Sequence, residues 1–228
     1  MRLFVIEGVD GAGKSTQLKL LRDFFTGKGY DCEYMHFQRT DAPYFGEMIA
    51  RFLRGEFGTL NDVDPYLVAL LYAGDRKDAS NIINRWLKEG KIVLLDRYTY
   101  SNIAYQCAKL QDQSAQDELM EWILTLEFSH FGIPQPDLNV FLDVPYAFIE
   151  KKLSDERTGE DRSYLNGTRD IHEESLAFQK NVRSIYMKVA KKDNRLAVVN
   201  CSNNNGSMLS PQEIFNLITG LFNDRNLI

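Results

Sequence analysis

The chain predicts an α/β fold, a five-stranded parallel sheet flanked by helices, and three observations predict it. Five short apolar runs, several of them β-branched, alternate with longer stretches of helical period. Runs of that kind suit strands buried on both faces, and their alternation with helices calls for parallel pairing through right-handed crossovers. Between the first run and the first helical stretch stands Gly8-Val9-Asp10-Gly11-Ala12-Gly13-Lys14-Ser15, a G-x-x-x-x-G-K-S loop. The third run ends on a carboxylate, Asp96, at the strand end where open α/β sheets bind ligands.

Taken in order, Leu3-Phe4-Val5-Ile6 is the first strand. Leu18, Leu21, Phe24 and Phe25 then mark a helix running to Lys28 and stopped by Gly29. Residues 32–37 alternate as a second strand and end in the polar loop Gln38-Arg39-Thr40-Asp41-Ala42-Pro43. Phe45, Met48, Ile49, Phe52 and Leu53 give a short amphipathic helix, broken by Gly55 and Gly58. Asp64-Pro65 starts a long helix, with proline at its tolerated first position, that reaches Gly90. Ile92-Val93-Leu94-Leu95-Asp96 is the third strand. One helix opens at Ser101 and a second runs from Ser114 through Trp122 to Phe131. Leu138 to Asp143 is the fourth strand, and Pro145 starts a helix reaching about Leu153. A further helix carries Leu176, Phe178, Val182, Ile185, Tyr186 and Val189. Ala197-Val198-Val199-Asn200 is the fifth strand, Asn203-Asn204-Asn205-Gly206 is a turn, and Ser210-Pro211 caps the last helix.

With 228 residues and 44% hydrophobic composition, one substantial core can form, so a single domain over 1–228 is expected. The net charge of −5 gives a nucleic-acid partner no global support. No apolar run is long enough to span a bilayer, and the apolar start runs into Glu7 without a small-residue cleavage site. Cys32, Cys107 and Cys201 are odd in number and far apart, as expected of reduced thiols in a cytoplasmic protein. His36 and His130 fit no ligand pattern and are expected to be structural.

The glycine loop states its own chemistry. Glycines let successive N–H groups converge on a polyphosphate at a helix N-terminus. Gly8, Gly11, Ala12, Gly13, Lys14, Ser15 and Thr16 are therefore expected to bind the phosphates of a nucleotide, Lys14 as a solvent-facing cation and Ser15 as a magnesium ligand. The fold is thus a P-loop NTPase-type sandwich. Asp96-Arg97 is either a salt bridge just past a strand or a pair in which Asp96 holds a magnesium-bound water and Arg97 grips a phosphate; its place opposite the loop favours the second. Tyr72 and Arg76, four residues apart, share a helix face. They suit a planar base as well as they suit an ordinary helix surface. Ser101, Asn102, Tyr105 and Gln106 place hydroxyls and amides behind Arg97, for a base edge and a sugar, although Ser101 could simply cap. Residues 154–170 are charged, glycine-bearing and without apolar period. They carry Arg157, Arg162 and Arg169, and read either as a solvated loop or as a mobile lid over transferring phosphates.

Over nearly its whole length the chain resembles the thymidylate kinases of the P-loop nucleoside-monophosphate kinase group. The resemblance rests on residues 7–16, on Asp96-Arg97-Tyr98 with Ser101-Asn102 and Ala104-Tyr105-Gln106, on Tyr72 to Arg76, and on Pro136-Asp137 through Leu142-Asp143-Val144. It implies transfer of the ATP γ-phosphoryl group to dTMP, with Mg²⁺, in a homodimer. It further implies Tyr72 stacking on thymine, Arg76 on a thymine carbonyl, Asn102 on the base edge, and Arg39 and Arg97 on the dTMP phosphate. Asp10 falls on the sugar or phosphate side and Tyr105 where a 2′-hydroxyl would sit. Asp170 and Glu173 match acidic positions at the end of the lid, and Asn200-Cys201-Ser202 falls where the family contacts adenine. Phe37 joins the substrate side, in a segment, Phe37-Gln38-Arg39-Thr40-Asp41, that departs from the usual bacterial Arg-Glu-Pro-Gly-Gly. Some members carry an arginine inside the loop where this chain has Gly11. Here the resemblance implies a lid arginine, Arg157 or Arg162, and Arg162 is favoured because Arg169 abuts the next helix. A GTPase would need an Asn-Lys-x-Asp motif and an Asp-x-x-Gly switch after the metal-side strand, and the chain has neither; a kinase of UMP, CMP or a deoxynucleoside is a further rival.

Overall fold

The computed structural model of the chain describes residues 2–60, 62–154, 165 and 176–227. β1 (Leu3–Glu7) leads through the glycine loop into α1 (Lys14–Gly27). β2 (Cys32–His36), α2 (Phe45–Leu53), α3 (Pro65–Lys88), β3 (Ile92–Asp96), α4 (Thr99–Cys107) and α5 (Gln113–Leu124) follow. A π-helix (Thr125–His130), β4 (Leu138–Asp143), α6 (Tyr146–Ser154), α7 (Leu176–Lys192), β5 (Leu196–Asn200) and α8 (Pro211–Asp224) complete the order. The five strands form one parallel sheet in the order β2-β3-β1-β4-β5. β1 is therefore central, with the chain crossing to one side for β2 and β3 and to the other for β4 and β5.

Register sets the geometry of the sheet's C-terminal edge. Ile6 and His36 both lie level with Asp96, and Glu7 lies level with Phe141. The loops after β1 and β3 consequently leave the sheet side by side, and the Arg97 N–H still donates to the Ile6 carbonyl at 3.0 Å.

Strand alternation explains the layers. Phe4, Ile6 and Leu94 point into the larger core with Leu21 and Phe25 of α1, Val182 and Tyr186 of α7, and Ile218 and Phe222 of α8. Leu3, Val5, Val93 and Leu95 point the other way, onto Ala79 and Ile83 of α3 and onto Tyr98. Each of these residues leaves water almost entirely, which stabilises the fold by roughly 1.5–3 kcal/mol per large side chain. A third cluster, Ile49, Phe52, Leu53, Val68 and Tyr72, joins α2 to α3.

The five-stranded parallel sheet and its flanking helices agree with expectation, and three boundaries do not. α4 starts at Thr99 rather than Ser101. Its first turn is capped by a residue ninety positions away, since Glu7 Oε1 accepts the N–H groups of Tyr98 and Ser101, and no local pattern can carry that information. The helix from Ser114 does not stay α-helical to Phe131; it ends at Leu124 and continues as the π-helix. β2 stops at His36, with Phe37 attached to the sheet by a single N–H to the Asp96 carbonyl. Apart from Leu165, the proposed lid from 155 onward lies outside the described residues. Among the described residues no helix is long and apolar enough to cross a membrane.

Lys109, just past α4, has its Nζ buried without a hydrogen-bond partner, 4.9 Å over the Phe52 ring. Burial pushes its ammonium down to about 7, with the Asp64 carboxylate opposing. The folded state thus binds fewer protons than the unfolded chain between that value and the ordinary lysine range. Stability must rise with pH across this window and must carry the full cost of the charge below it. Lys109→Met should raise the melting temperature at pH 7 and the gain should shrink towards pH 10.5, as differential scanning calorimetry over that range would read; a pH-independent difference would contradict the buried-amine account.

Candidate active site

Two loops at the central strands build the site. In the glycine loop, Gly11 and Gly13 take φ of 78° and 85°, a left-handed conformation that glycine adopts without strain. A Cβ at Gly8 would come 3.0 Å from the Ala12 Cβ, so a side chain there would push against the loop's own closure. Ser15 and Thr16, in the first turn of α1, are exposed. Lys14 is not solvent-facing as expected. It is buried, and its Nζ lies 3.3 Å from the Val9 carbonyl and 3.5 Å from that of Gly8, curled back over the loop.

Opposite the loop, Asp96 is 3% exposed. Its Oδ2 is 3.5 Å from His36 Nδ1, and its buried Oδ1 has no hydrogen-bond partner. Burial alone would raise the carboxyl, but the charges of Lys14, His36 and Arg97 and the His36 hydrogen bond hold it below the usual aspartate range. It is an anion facing the loop. His36, expected to be structural, is thus drawn to the site's edge.

Arg97 adopts φ 65°, a left-handed conformation uncommon for a residue with a side chain. Its guanidinium donates to Asp10 Oδ1 at 2.7 Å, to the Tyr105 hydroxyl at 3.0 Å and to Ser101 Oγ at 3.2 Å. The Tyr105 hydroxyl donates in turn to Asp10 Oδ2 at 2.7 Å, and Gln179 of α7 donates to the same oxygen. Asp10, Arg97, Ser101 and Tyr105 are therefore one hydrogen-bonded cluster.

Beneath the cluster lies Glu7, fully buried at the end of β1. Besides the two N–H groups of α4, it accepts from the hydroxyls of Ser101 and Tyr186. Burial raises its carboxyl, and the Ser101 hydrogen bond and the Arg97 charge oppose that.

A second group sits on α3 and α4. Arg76 and Glu127 form a fully buried bidentate pair, both N–H···O distances being 2.6 Å. Glu127 also accepts from Thr99 Oγ1 at 2.8 Å and from Asn102 Nδ2 at 3.0 Å.

A glycine loop at a helix N-terminus thus faces a buried carboxylate and an arginine clamped by a second. The thymidylate kinase family model matches residues 6–209. The chain belongs to the thymidylate kinase family. It is a nucleoside-monophosphate kinase that phosphorylates dTMP to dTDP. A probable thymidylate kinase of Thermococcus onnurineus is 36% identical over 222 residues, covering 95% of each chain. The thymidylate kinase of Mycobacterium tuberculosis H37Rv is 33% identical over 189 residues, 82% of this chain and 85% of that one. The fold matches that of a solved thymidylate kinase from Candida albicans at a TM-score of 0.73 and 22% identity, covering 99% of this chain and 92% of the other.

In this kinase the remaining expected positions fall in three groups. Arg76 and Asn102 converge on Glu127, while Tyr72 packs in the cluster between α2 and α3; Tyr72 and Arg76 are both buried, so the ordinary-surface reading of that helix face is corrected. Gln106 is buried with an unpartnered Oε1. Arg39 is turned onto α3, where Asp75 accepts from both its backbone N–H and its Nε and Asp78 accepts from Nη2 at 2.6 Å. Phe37 is buried, its ring centroid 5.5 Å from that of Tyr98. The Cys201 thiol is likewise buried, pushed up to about 12 by burial. Beside it Asn200 Oδ1 is taken by the N–H and hydroxyl of Ser202. Arg157, Arg162, Asp170 and Glu173 lie outside the described residues.

Sequence reasoning missed Glu127, Gln179, Asp75 and the role of Glu7. A signal existed for two of them. Gln179, Val182 and Tyr186 share one stripe of α7, and Glu127 follows Leu119 and Ile123 at four-residue spacing. A polar side chain on an apolar stripe must find a buried partner.

Removing Glu7 should expose how much rests on it. Glu7→Leu leaves two buried N–H groups unpaired and the Ser101 and Tyr186 hydroxyls with only each other and Arg97, and should cost about 3–5 kcal/mol, in the range for breaking a buried charged network. Glu7→Gln should cost less, since the amide oxygen can take the N–H groups while its NH₂ donates to the hydroxyls. Urea midpoints would order the two, and an unchanged midpoint for Glu7→Leu would remove the carboxylate from this role.

Proposed function

We propose that the chain transfers the γ-phosphoryl group of ATP to dTMP at the cleft between the glycine loop and the Arg97 cluster. The observation that supports this best is Arg97 itself, held in a left-handed backbone and clamped on Asp10, Ser101 and Tyr105 beside the loop. An arginine so fixed presents its remaining donors to a phosphate without reorganisation, and preorganised charge is where phosphoryl transfer gains most.

The acceptor phosphate has a second pKa of about 6, so near pH 7 it is mostly a dianion and already a nucleophile. No general base is needed; the difficulty is bringing two polyanions into line. In this reading the loop N–H groups and Lys14 hold the donor's phosphates, and Arg97 holds the acceptor's. Tyr72 stacks on thymine, Arg76 and Asn102 read its edge, and the Tyr105–Asp10 pair fills the space behind the 2′-carbon. Asn200, Cys201 and Ser202 would meet adenine through their backbone, since the Cys201 thiol points into the core.

The residues present fit Mg²⁺. The buried, unpartnered Oδ1 of Asp96 is an oxygen awaiting a donor, and Ser15 is exposed at the loop. A metal held by one or two protein ligands and the substrate phosphates needs no more than these oxygens. Bound there, Mg²⁺ would draw charge from the transferring phosphoryl group. Homodimer formation, a single domain over 1–228, residence in the cytoplasm and an arginine-bearing lid at 154–170 belong to the same proposal.

Steady-state rates over a panel of acceptors and donors are the direct test. dTMP should be preferred strongly over its ribose counterpart and over UMP and CMP, and Lys14→Ala should lower turnover on the order of a thousandfold or more while the fold survives. Comparable rates for deoxy and ribo acceptors would contradict the Tyr105 assignment, and an active Lys14→Ala chain the loop assignment.

Because Lys14 is the single cation of the loop, one further charge has to come from elsewhere. Arg162→Ala should depress kcat far more than it raises the KM for dTMP, on the order of a thousandfold for a transition-state arginine. Arg157→Ala is the parallel variant. Near-normal kcat in both and in the double mutant would pass that role to Arg97.

A further inference from the structure

We propose that Glu127 is a positioning residue that fixes the hydrogen-bonding polarity of Arg76 and Asn102, so that the site selects a pyrimidine with a 4-carbonyl and an N3–H over one with a 4-amino group. This rests on the reading above in which Arg76 and Asn102 face the base.

A carboxylate can only accept. Each oxygen of Glu127 takes two donors: Oε1 from Arg76 Nη2 and Asn102 Nδ2, and Oε2 from Arg76 Nε and Thr99 Oγ1. Asn102 Nδ2 spends its other hydrogen on the Ala69 carbonyl at 3.0 Å. Both amide hydrogens are therefore committed, and Asn102 Oδ1, buried and without a partner, is left as an acceptor. On Arg76 the edge formed by Nε and Nη2 belongs to Glu127, so Nη1 is the terminal nitrogen outside the pair.

The two readers thus offer one donor and one acceptor. A 4-carbonyl and an N3–H present the matching acceptor and donor. A 4-amino pyrimidine presents a donor and a bare N3, which reverses both and sets donor against donor and acceptor against acceptor. Unpaired buried polar groups of this kind discriminate far more strongly than a change of shape.

Glu127→Gln is the informative change because it keeps the shape. In either orientation of the new amide, its NH₂ faces an N–H of Arg76, Nε on one side or Nη2 on the other. Thr99 can turn its hydroxyl to accept, whereas the guanidinium cannot. Arg76 should lose its fixed placement while the backbone is kept.

Calorimetric binding of three probes, dTMP, dCMP and 2-deoxyribose 5-phosphate, reads the outcome. In Glu127→Gln, dTMP binding should weaken about tenfold or more, corresponding to about 1.4 kcal/mol, while dCMP and the base-free sugar phosphate stay within about twofold, a loss within the range for one misplaced charged hydrogen bond. A purely structural role would weaken all three alike, and that result, or unchanged dTMP binding, overturns the proposal. Arg76→Ala separates the layers. If it selectively weakens dTMP and Glu127→Gln does not, the Glu127 inference alone fails; if neither is selective, the base-reading assignment has failed. Should Glu127→Gln not fold, Thr99→Val removes a single donor to Oε2 and should weaken dTMP several-fold with the sugar phosphate unchanged; equal effects on both overturn the proposal.

Discussion

The site hangs on a carboxylate that touches no solvent. Glu7 ends the central strand, and its two oxygens gather the first turn of α4 and the Tyr186 hydroxyl of α7 onto that strand. Burying a carboxylate is costly, and only a full set of donors makes it tolerable. The four donors are supplied by elements that must each be in place, so the carboxylate converts a strand–helix–helix junction into a single arrangement. Arg97, in a left-handed backbone, stands between the end of β3 and Tyr98, whose N–H the carboxylate holds. Strain at Arg97 persists because its neighbours are over-determined, the condition under which strained residues survive at functional sites.

The same device recurs between α3 and α4. Glu127, on a π turn, gathers donors from α3 and α4 as Glu7 gathers them from α4 and α7. α4 is held at both ends of its first turn, Tyr98 and Ser101 by one buried acid and Thr99 and Asn102 by the other. Its apolar residues Ile103 and Ala104 then fill the core. A helix anchored this way has little freedom to rotate, and rotation is what would misplace Asn102 and Tyr105 together.

Much of this fold was legible because its signals are local. The strands, the glycine loop and the cap at Asp64, which accepts the Tyr66 N–H, are written within a few residues of where they act. So is the capping box of Ser210 with Glu213 at the start of α8. The start of α4 was not legible, since its cap is Glu7, and neither was the burial of Lys14, whose fold-back depends on loop carbonyls. At the candidate site, the positions expected from spacing could be named from the sequence, while the residues that hydrogen-bond to them could not. Asp75, Glu127 and Gln179 lie far in sequence from Arg39, Arg76 and Asp10 or are hidden in an ordinary helix pattern. Only the topology brings them together, and a single sequence records topology weakly.

Charge balance ties these pairings to turnover. Arg97, Arg39 and Arg76 are each matched by carboxylates, Asp10, Asp75 with Asp78, and Glu127 respectively. Isolated cations crowded round a cleft would repel one another and collapse onto whatever anion was near. Paired in advance, each has part of its guanidinium fixed by a carboxylate. If Arg97 holds the acceptor phosphate as proposed, that dianion adds charge next to Asp10, and the cluster tolerates it only while Arg97 donates to both. The distribution of donors allows that, because Asp10 and Tyr105 share Nη2 and Ser101 takes Nη1 through a hydroxyl that can release it. Ser101 already has Glu7 and Tyr186 as alternative partners. Releasing Nη1 therefore leaves no buried hydroxyl unpaired, and the arginine can turn a donor to phosphate without dismantling the junction beneath it.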